Sequence, residues 1–168
     1  MGDSVVLTIL FVTFLAIGVG IFGFGLHSLN MSKKAEHWPT VQGEILTSEF
    51  DVSPGEGSDT YRAKVSYRYS VLGTSFTGKK IAFGYSNSSS ESFHREIFNA
   101  LKVKTQVAVR YNPEKPEQAV LSFGINQSIK FLLLFGAIWT VFTLGMMAMF
   151  WTSYQGTSTL LQNMIIYS

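Results

Sequence analysis

Residues 60–73, TYRAKVSYRYSVLG, decide how the middle of this chain folds. From residue 61 to residue 71, Tyr, Ala and Val stand at the odd positions, and Arg, Lys and Ser stand at the even positions. A period of two is typical of a β-strand with one face on a core and the other in water. We therefore predict a strand whose odd-numbered side chains are buried.

Further strand and turn signals lie on both sides of this segment. SPGEGSD at residues 53–59 has the Pro and Gly content of a turn, which predicts a hairpin with the preceding strand. NPEKPE at residues 112–117 is a second predicted turn, rich in proline. The other strands are predicted at residues 40–50, 75–84, 105–111 and 118–123.

A short helix is predicted over residues 91–101, with Ser90 as its N-cap. The apolar residues that share one face of it are Phe93, Ile97, Phe98 and Leu101. His94 on the same helix is interpreted as a solvated or partly packed side chain. Together these signals predict a small, mostly antiparallel β domain at residues 38–123, with about five strands. A barrel-like or sandwich-like closure is expected, because such strands otherwise leave exposed edges.

Two uncharged apolar runs flank the β domain: VVLTILFVTFLAIGVGIFGFGL at residues 5–26 and FLLLFGAIWTVFTLGMMAMFW at residues 131–151. About 20 apolar residues span the hydrocarbon core as a helix. We predict transmembrane helices at residues 5–29 and 129–151, followed by a polar-to-apolar tail at residues 152–168. A cleaved signal peptide is the weaker reading, because no basic region precedes the first run. The fold class is thus an α+β membrane protein.

The composition agrees with a membrane protein and argues against other classes. Charged residues make up 14% of the chain and hydrophobic residues 46%, whereas soluble proteins are about one-quarter charged. The net charge of +2 is too small to indicate nucleic-acid binding. The chain has no cysteine, and its three histidines lack metal-ligand spacing, so we expect no disulfide, zinc site or cofactor.

The ends of the spans predict how the chain sits in a bilayer. The predicted membrane-interface residues are Lys33, Lys34, Trp38, Lys130 and Trp151. Pro39 is predicted to stop the first helix. Lysines flank the middle domain and neither terminal segment carries Lys or Arg, so the positive-inside rule places the β domain in the cytoplasm and both termini across the membrane. Long loops can translocate regardless of charge, which leaves the opposite orientation open.

Small residues form two stripes on the first span. Ala16, Gly20 and Gly23 share one helical face, and Gly18 and Gly25 share another. Such stripes let helix backbones approach closely, so they predict packing with the second span, with another copy or with a different protein. Neither span contains Asp, Glu, Lys or Arg, which argues against a transporter or a pump.

The order of motifs resembles a known family. A membrane span precedes WPTVQGEI at residues 38–45, YRAKVSYRY at residues 61–69, GTSFTG at residues 73–78 and VAVRYNPEKPEQAVL at residues 107–121, and a second span follows. This order resembles the domain-of-unknown-function 3592 family of mostly bacterial membrane proteins. The resemblance implies a β-rich domain carried by flanking membrane helices. It implies no activity and assigns no functional residue. We expect the protein in a bacterial inner membrane.

No residue pattern predicts a catalytic site. The serines at residues 86 and 88–90 lack the G-x-S-x-G context of a nucleophile and are interpreted as a loop. The acidic residues Glu44, Glu49 and Asp51 are interpreted as a solvated strand face. A basic patch is predicted at Arg62, Lys64, Arg68, Lys79 and Lys80. It either faces anionic lipid or an acidic partner, or only keeps the strand face soluble.

We expect a non-enzymatic membrane protein whose β domain binds another protein, as an accessory subunit or assembly factor of a membrane complex. Two alternatives stay open: a membrane-bound immunity protein that neutralises a toxin, and a self-assembling scaffold or pore. A membrane-bound enzyme has the weakest support, and an activity lost on substitution of Glu44, His94 or Arg110 would favour it.

Overall fold

The computed structural model describes the backbone of residues 2–162 and the side chains of residues 5–153. In chain order, its elements are α1 (Gly2–Glu36), β1 (Thr40–Ser53), β2 (Thr60–Val71), β3 (Thr74–Gly78), α2 (Glu91–Ala100), β4 (Gln106–Asn112), β5 (Lys115–Val120) and α3 (Gln127–Gln162). The chain forms two compact units. The helical unit holds α1 up to Gly25 and α3 from Phe131, and the β unit is Leu26–Lys130.

Helices α1 and α3 are long and apolar enough to cross a membrane. Most of their large apolar side chains are exposed, among them Val6 at 63% and Val141 at 68%. This exposure is typical of helices whose surroundings are hydrocarbon, since an exposed apolar surface of this extent is unfavourable in water.

Both long helices continue past the predicted spans. Helix α1 runs to Glu36 because no helix-breaking residue occurs before Pro39. Helix α3 runs to Gln162 because no proline interrupts residues 152–162, so this part of the predicted tail is helical. The rest of that tail, residues 163–168, lies outside the described residues.

Within the helical unit, α1 and α3 approach closely at glycines. A β carbon at Gly18 would lie 2.6 Å from Cδ1 of Trp139, and one at Gly136 would lie 2.7 Å from the backbone nitrogen of Phe22. Trp139 also donates a hydrogen bond from Nε1 to the carbonyl of Phe14 (2.9 Å). Glycines therefore allow the backbone contact, and a tryptophan between the helices finds its polar partner there.

The β unit contains one five-stranded antiparallel sheet with the strand order β3-β2-β1-β4-β5. This result confirms a β-rich unit with five antiparallel strands and one short helix. The sheet is open, because the described residues of β3 and β5 form no ladder with each other. A sandwich-like arrangement therefore fits, and a closed barrel does not form.

The inner face of β2 supplies the centre of the core, which confirms the alternation predicted for residues 60–73. The buried odd-numbered residues are Ala63, Val65, Tyr67, Tyr69 and Val71. The Tyr67 hydroxyl lies 2.9 Å from the Lys80 carbonyl and 3.0 Å from the Ala119 carbonyl, and the Tyr69 hydroxyl donates to the Pro116 carbonyl (2.5 Å). The bonds to Ala119 and Pro116 link β2 to β5, which are not neighbours in the sheet, so the sheet curls onto its own inner face.

Four strand ends differ from the predictions by three residues or more: the end of β3, the end of β1 and both ends of β5, which ends at Val120 and not at residue 123. β3 ends at Gly78, because the chain then leaves β2, and Ile81 instead accepts hydrogen bonds from the backbone N–H groups of residues 121 and 122. β1 continues to Ser53, the first residue of the predicted turn. β5 begins at Lys115, because Asn112 Oδ1 accepts the N–H of Glu114 (3.0 Å) and closes a tighter turn than predicted.

Candidate functional site

His94 lies at the centre of a polar cluster in the β unit. Its side chain is fully buried. Its Nδ1 lies 2.8 Å from the Tyr85 hydroxyl, and its Nε2 lies 2.8 Å from Ser88 Oγ. The Tyr85 hydroxyl also accepts the backbone N–H of Ala63 (3.0 Å). The ring thus joins two residues of the segment that leads into α2.

The hydrogen-bond network indicates the tautomer of His94. Because Tyr85 Oη already accepts the Ala63 N–H, its own proton is best placed on Nδ1 of His94. The proton of the neutral ring is then on Nε2, which donates to Ser88 Oγ. In this state His94 has no free nitrogen to accept the Ser88 proton.

The cluster covers an edge of β2 that β3 leaves open. β3 pairs with residues 67–71 of β2 only. At the other end of β2, Tyr61 exchanges backbone hydrogen bonds with Ser88 (2.8 and 3.2 Å), and the Tyr85 hydroxyl accepts a hydrogen bond from the backbone N–H of Ala63. Since His94 holds both Tyr85 and Ser88, it clamps residues 85–88 onto β2, where unpaired backbone groups would otherwise remain.

The interpretation of His94 as a solvated or partly packed side chain is wrong. The ring is buried because it occupies the first position of the face formed by His94, Ile97, Phe98 and Leu101, with helical spacings i, i+3, i+4 and i+7. The same spacing in the sequence places His94 on the buried face of α2, which the apolar residues alone do not show. Helix α2 starts at Glu91 as predicted, although the Ser90 hydroxyl makes no capping hydrogen bond.

Burial, and to a smaller extent the nearby charge of Arg62, lowers the pKa of His94 below its ordinary value of 6.5. The unfolded chain therefore binds the proton at a higher pH than the folded chain. The contribution of neutral His94 to stability is complete above about pH 6.5 and is lost as the pH falls through the lowered folded pKa. Arg62 is the charged group on β2 that faces this cluster, with its guanidinium 5.9 Å from the Tyr85 ring.

We expect the free energy of unfolding to decrease below pH 6.5 in the natural protein and to decrease less in His94→Gln, which cannot titrate. The measurement is denaturant unfolding in detergent between pH 8 and about pH 5. Carboxylates contribute equally to both proteins, so the difference between the two curves isolates His94. Parallel curves would show that His94 titrates alike in the folded and unfolded chain.

The strand register places the cations of the predicted basic patch opposite carboxylates. Asp51, Glu49 and Glu44 of β1 lie directly opposite Arg62, Lys64 and Arg68 of β2, respectively. Lys64 Nζ forms an ion pair with Asp51 (2.8 Å). Cross-strand pairs of opposite charge stabilise a sheet by about 0.2–1 kcal/mol each. Of these three cations, Lys64 is the one that forms an ion pair with a described carboxylate. The Arg62 guanidinium lies beside the Tyr85 ring, and its buried Nε makes no hydrogen bond to a described residue.

The other two residues of the predicted patch lie in the segment after β3. Lys79 and Lys80 are both exposed. Lys80 Nζ lies 5.2 Å from the centre of the Phe83 ring, within the range of a cation–π contact. The five predicted cations therefore divide into three on β2 that lie opposite carboxylates in the strand register, of which Lys64 forms an ion pair, and two after β3 that pair with no described acid.

Four of the predicted membrane-interface residues are exposed on the two long helices, and three of them, the lysines, lie at helix ends. Lys33 and Lys34 lie in the last turn of α1, where positive charge also interacts favourably with the helix dipole. Lys130 is exposed in the first turn of α3. Trp151 is 66% exposed on the same helix.

Trp38, the fifth predicted interface residue, lies at the junction between α1 and the sheet. Its ring packs edge-on against Phe83 (5.9 Å). Arg110 Nη1 donates to the carbonyls of Glu36 (2.7 Å) and Trp38 (3.3 Å), and its guanidinium lies 4.1 Å from the Phe123 ring. Arg110 therefore satisfies carbonyls that the end of a helix leaves unpaired, which is a structural role.

One of the two predicted small-residue stripes is open. Gly18 and Gly25 are buried against α3. A β carbon at Gly20 or Gly23 would have no neighbour within 4 Å, and Ala16 is exposed. The second span therefore covers one stripe and leaves the other without a partner among the described residues.

Across the described part of the chain, no group of three or more His, Asp or Glu side chains is placed to hold a metal ion. No curated protein matches the sequence. A family model, the domain of unknown function DUF3592, matches residues 41–126, which begin inside β1 and end just before α3. Because this match covers just over half of the 168 residues and includes His94 with its partners Tyr85 and Ser88, the chain belongs to the DUF3592 family.

Proposed function

We propose that this chain is a non-enzymatic integral membrane protein whose β unit binds another protein, as an accessory subunit or assembly factor of a membrane complex. Two helices long and apolar enough to cross a membrane support the membrane location. The reactive side chains His94 and Arg110 both serve the fold, which favours a binding role over chemistry.

The observation that carries the proposal is the open stripe of Ala16, Gly20 and Gly23. In hydrocarbon, helices associate through close packing of small residues, because burial of apolar surface gives no advantage over lipid. Helix α3 already uses the neighbouring stripe at Gly18 and Gly25. A second stripe of the same kind on the same helix therefore fits one more helix, supplied by another polypeptide.

A self-assembling scaffold is the second candidate, because the same open stripe fits α1 of another copy. Pairing of two identical helices through small residues needs no other protein. The two candidates differ in what co-purifies with the chain and in its oligomeric state, so one purification distinguishes them.

We place the protein in a bacterial inner membrane with the β unit in the cytoplasm and both termini on the other side. The support is the position of Lys33, Lys34 and Lys130 next to the spans. Ser89 is exposed, and the chain has no cysteine, so Ser89→Cys creates a single thiol. Labelling of that thiol by an impermeant reagent in intact cells would contradict this orientation.

We expect Gly20→Leu combined with Gly23→Leu to remove a co-purifying membrane partner from the tagged full-length protein. Leucine side chains on this face would hold a partner helix away by their volume. The measurement is affinity purification from gently solubilised membranes, with the partner-to-protein ratio expected to fall about tenfold or more. Gly145→Leu is the matched control, because Gly145 also has no neighbour within 4 Å but lies on α3.

Each outcome of this purification has a definite meaning. A stoichiometric partner that the Gly145 variant keeps and the double variant loses supports the accessory-subunit role. A homo-oligomer that only the double variant dissociates supports the self-assembling scaffold instead. A natural protein that purifies as a monomer without any partner contradicts both candidates.

A further inference from the structure

β1 extends well beyond the strand that pairs with its outer edge. β4 pairs with residues 40–44 of β1, and Ile45 exchanges one more pair of backbone hydrogen bonds with Lys104 and Thr105 (2.8 and 3.0 Å). From residue 46 to residue 53, β1 has β2 on one side. On the other side, no described residue forms a backbone hydrogen bond with it.

The pairing with β2 shows which groups of β1 point to the open side. In an antiparallel ladder, residues directly opposite each other exchange either both backbone hydrogen bonds or neither, in alternation. Tyr61 uses its N–H and C=O on Ser88, so its partner Val52 bonds to neither group of Tyr61. By alternation, the N–H and C=O groups of Ser48, Phe50 and Val52 all point to the open edge.

The face of this segment is covered although its edge is not. Phe50 packs against Phe98 of α2 (5.7 Å), and the Arg95 guanidinium lies 4.5 Å from the centre of the Phe50 ring. The Ser48 Oγ is shielded from solvent and makes no hydrogen bond to a described residue. The segment is therefore held in an extended conformation by α2 and β2 while its outer row of backbone groups remains available.

The open segment of β1 carries two acids, Glu49 and Asp51. Cations of other elements lie near it: Arg95, which pairs with Glu91, lies over the Phe50 ring, and Lys104 bonds through its backbone to Ile45. Between Lys34 and Arg62 the chain carries six acidic residues and no Lys or Arg: Glu36, Glu44, Glu49, Asp51, Glu56 and Asp59. Asp51 is paired with Lys64, which leaves exposed Glu49 without an ion pair among the described residues. A strand added at this edge would meet an unpaired carboxylate beside the backbone groups it bonds to.

We propose that the edge of β1 from Ser48 to Val52 binds an extended, cationic segment of another protein by strand addition. Backbone hydrogen bonds to Ser48, Phe50 and Val52 supply the register, and a Lys or Arg of the segment pairs with Glu49. This assignment rests on the proposed function, because it names the binding surface of the β unit and the chemistry of its partner.

A second copy of this chain fits the same edge poorly. Two β1 edges that pair antiparallel about Phe50 would place Glu49 of each copy directly opposite Asp51 of the other. Like charges directly opposite each other destabilise a strand pair. The charge of the edge thus disfavours self-pairing and favours a segment of opposite sign.

The test uses the full-length protein in detergent and a fluorescent peptide of about ten residues in which Lys alternates with Val and Thr, long enough to cover the open edge. Val52→Pro removes an N–H that faces outward, a change that edge strands tolerate, and Val52→Thr retains that N–H. We expect Val52→Pro to weaken peptide binding about tenfold or more and Val52→Thr to change it less than about twofold. Amide hydrogen exchange of the natural protein should slow on binding at Ser48, Phe50 and Val52.

Several results would overturn the proposal. The first is equal affinity of the Val52→Pro and Val52→Thr proteins for the Lys peptide. The second is binding of a peptide with Glu in place of Lys as tightly as the Lys peptide. The third is a change of oligomeric state in Val52→Pro, which would assign the edge to a second copy. Unchanged thermal unfolding of Val52→Pro shows that its fold is retained. If the thermal unfolding of Val52→Pro is altered, the test uses Glu49→Lys, which leaves the backbone intact and must weaken binding of the Lys peptide.

The purification described above distinguishes failure of this inference from failure of the proposed function. A stoichiometric partner that remains bound to Val52→Pro contradicts the assignment of the β1 edge and leaves the accessory role standing. A natural protein that captures no partner contradicts the accessory role itself, whatever the peptide does.

Discussion

Gly78→Ala is expected to destabilise the β unit by about 3 kcal/mol, the upper part of the range for overpacking a core. A β carbon at this position would overlap the ring of Tyr67 and lie 2.7 Å from its hydroxyl oxygen. Tyr67 is fully buried, and its hydroxyl bonds to the carbonyls of Lys80 and Ala119, so the ring cannot turn away without losing these bonds. Denaturant unfolding of the purified protein in detergent measures the change.

The control for this substitution is Gly73→Ala. Gly73 lies in the turn after β2 with φ +83°, and a β carbon there has no neighbour within 4 Å. Gly73→Ala should therefore lower the free energy of unfolding only by the cost of placing alanine in a left-handed conformation, about 1–2 kcal/mol. A loss at Gly78 no larger than the loss at Gly73 would contradict the steric argument. The effect of Gly78→Ala should also shrink in a Tyr67→Leu background, because the overlapping ring is then absent.

Gly136→Ala is expected to separate or strain the helix pair of the helical unit, with a cost of about 1–3 kcal/mol. The added β carbon would lie 2.7 Å from the nitrogen and 2.8 Å from the Cα of Phe22. Both are backbone atoms, so no side-chain rotation relieves the contact, and α1 itself must move. The measurement is unfolding of the helical unit in mixed micelles of increasing denaturing-detergent content, followed by helix content.

Gly145→Ala is the matched control for the helix pair. It makes the same change on the same helix, but a β carbon at Gly145 has no neighbour within 4 Å. Alanine is a better helix former than glycine by about 1 kcal/mol, so this variant should be as stable as the natural protein or more stable. Equal stabilities of the Gly136 and Gly145 variants would show that α1 and α3 do not pack at Gly136.

The two long helices and the faces of the strands could be predicted from the sequence because they depend on local patterns. An uncharged apolar run determines a membrane-length helix whatever its neighbours are. The alternation at residues 60–73 assigns each side chain to the inner or the outer face, and the burial of Tyr67 and Tyr69 agrees with it. The start of α2 at Glu91 follows in the same way from its helical period.

The tertiary structure alone decided which residues meet. The hydrogen bonds of His94 depend on Tyr85 and Ser88. Those residues belong to a loop that returns to the edge of β2, and no local sequence pattern predicts this return. The carboxylates that each cation of β2 meets depend on strand register: Lys64 lies opposite Glu49 and pairs with Asp51, which could not be read from β2 alone.

The same distinction applies to the two surfaces on which the proposals rest. The sequence determined that α1 carries two stripes of small residues, and only the packing of α3 showed that Gly20 lies on the open one. It predicted a strand at residues 40–50, and only the pairing showed that the backbone groups of Phe50 point to an edge without a neighbouring strand among the described residues. The physical reason is that periodicity specifies which face of an element is buried, whereas the partner that covers it is chosen by contacts between residues distant in the chain.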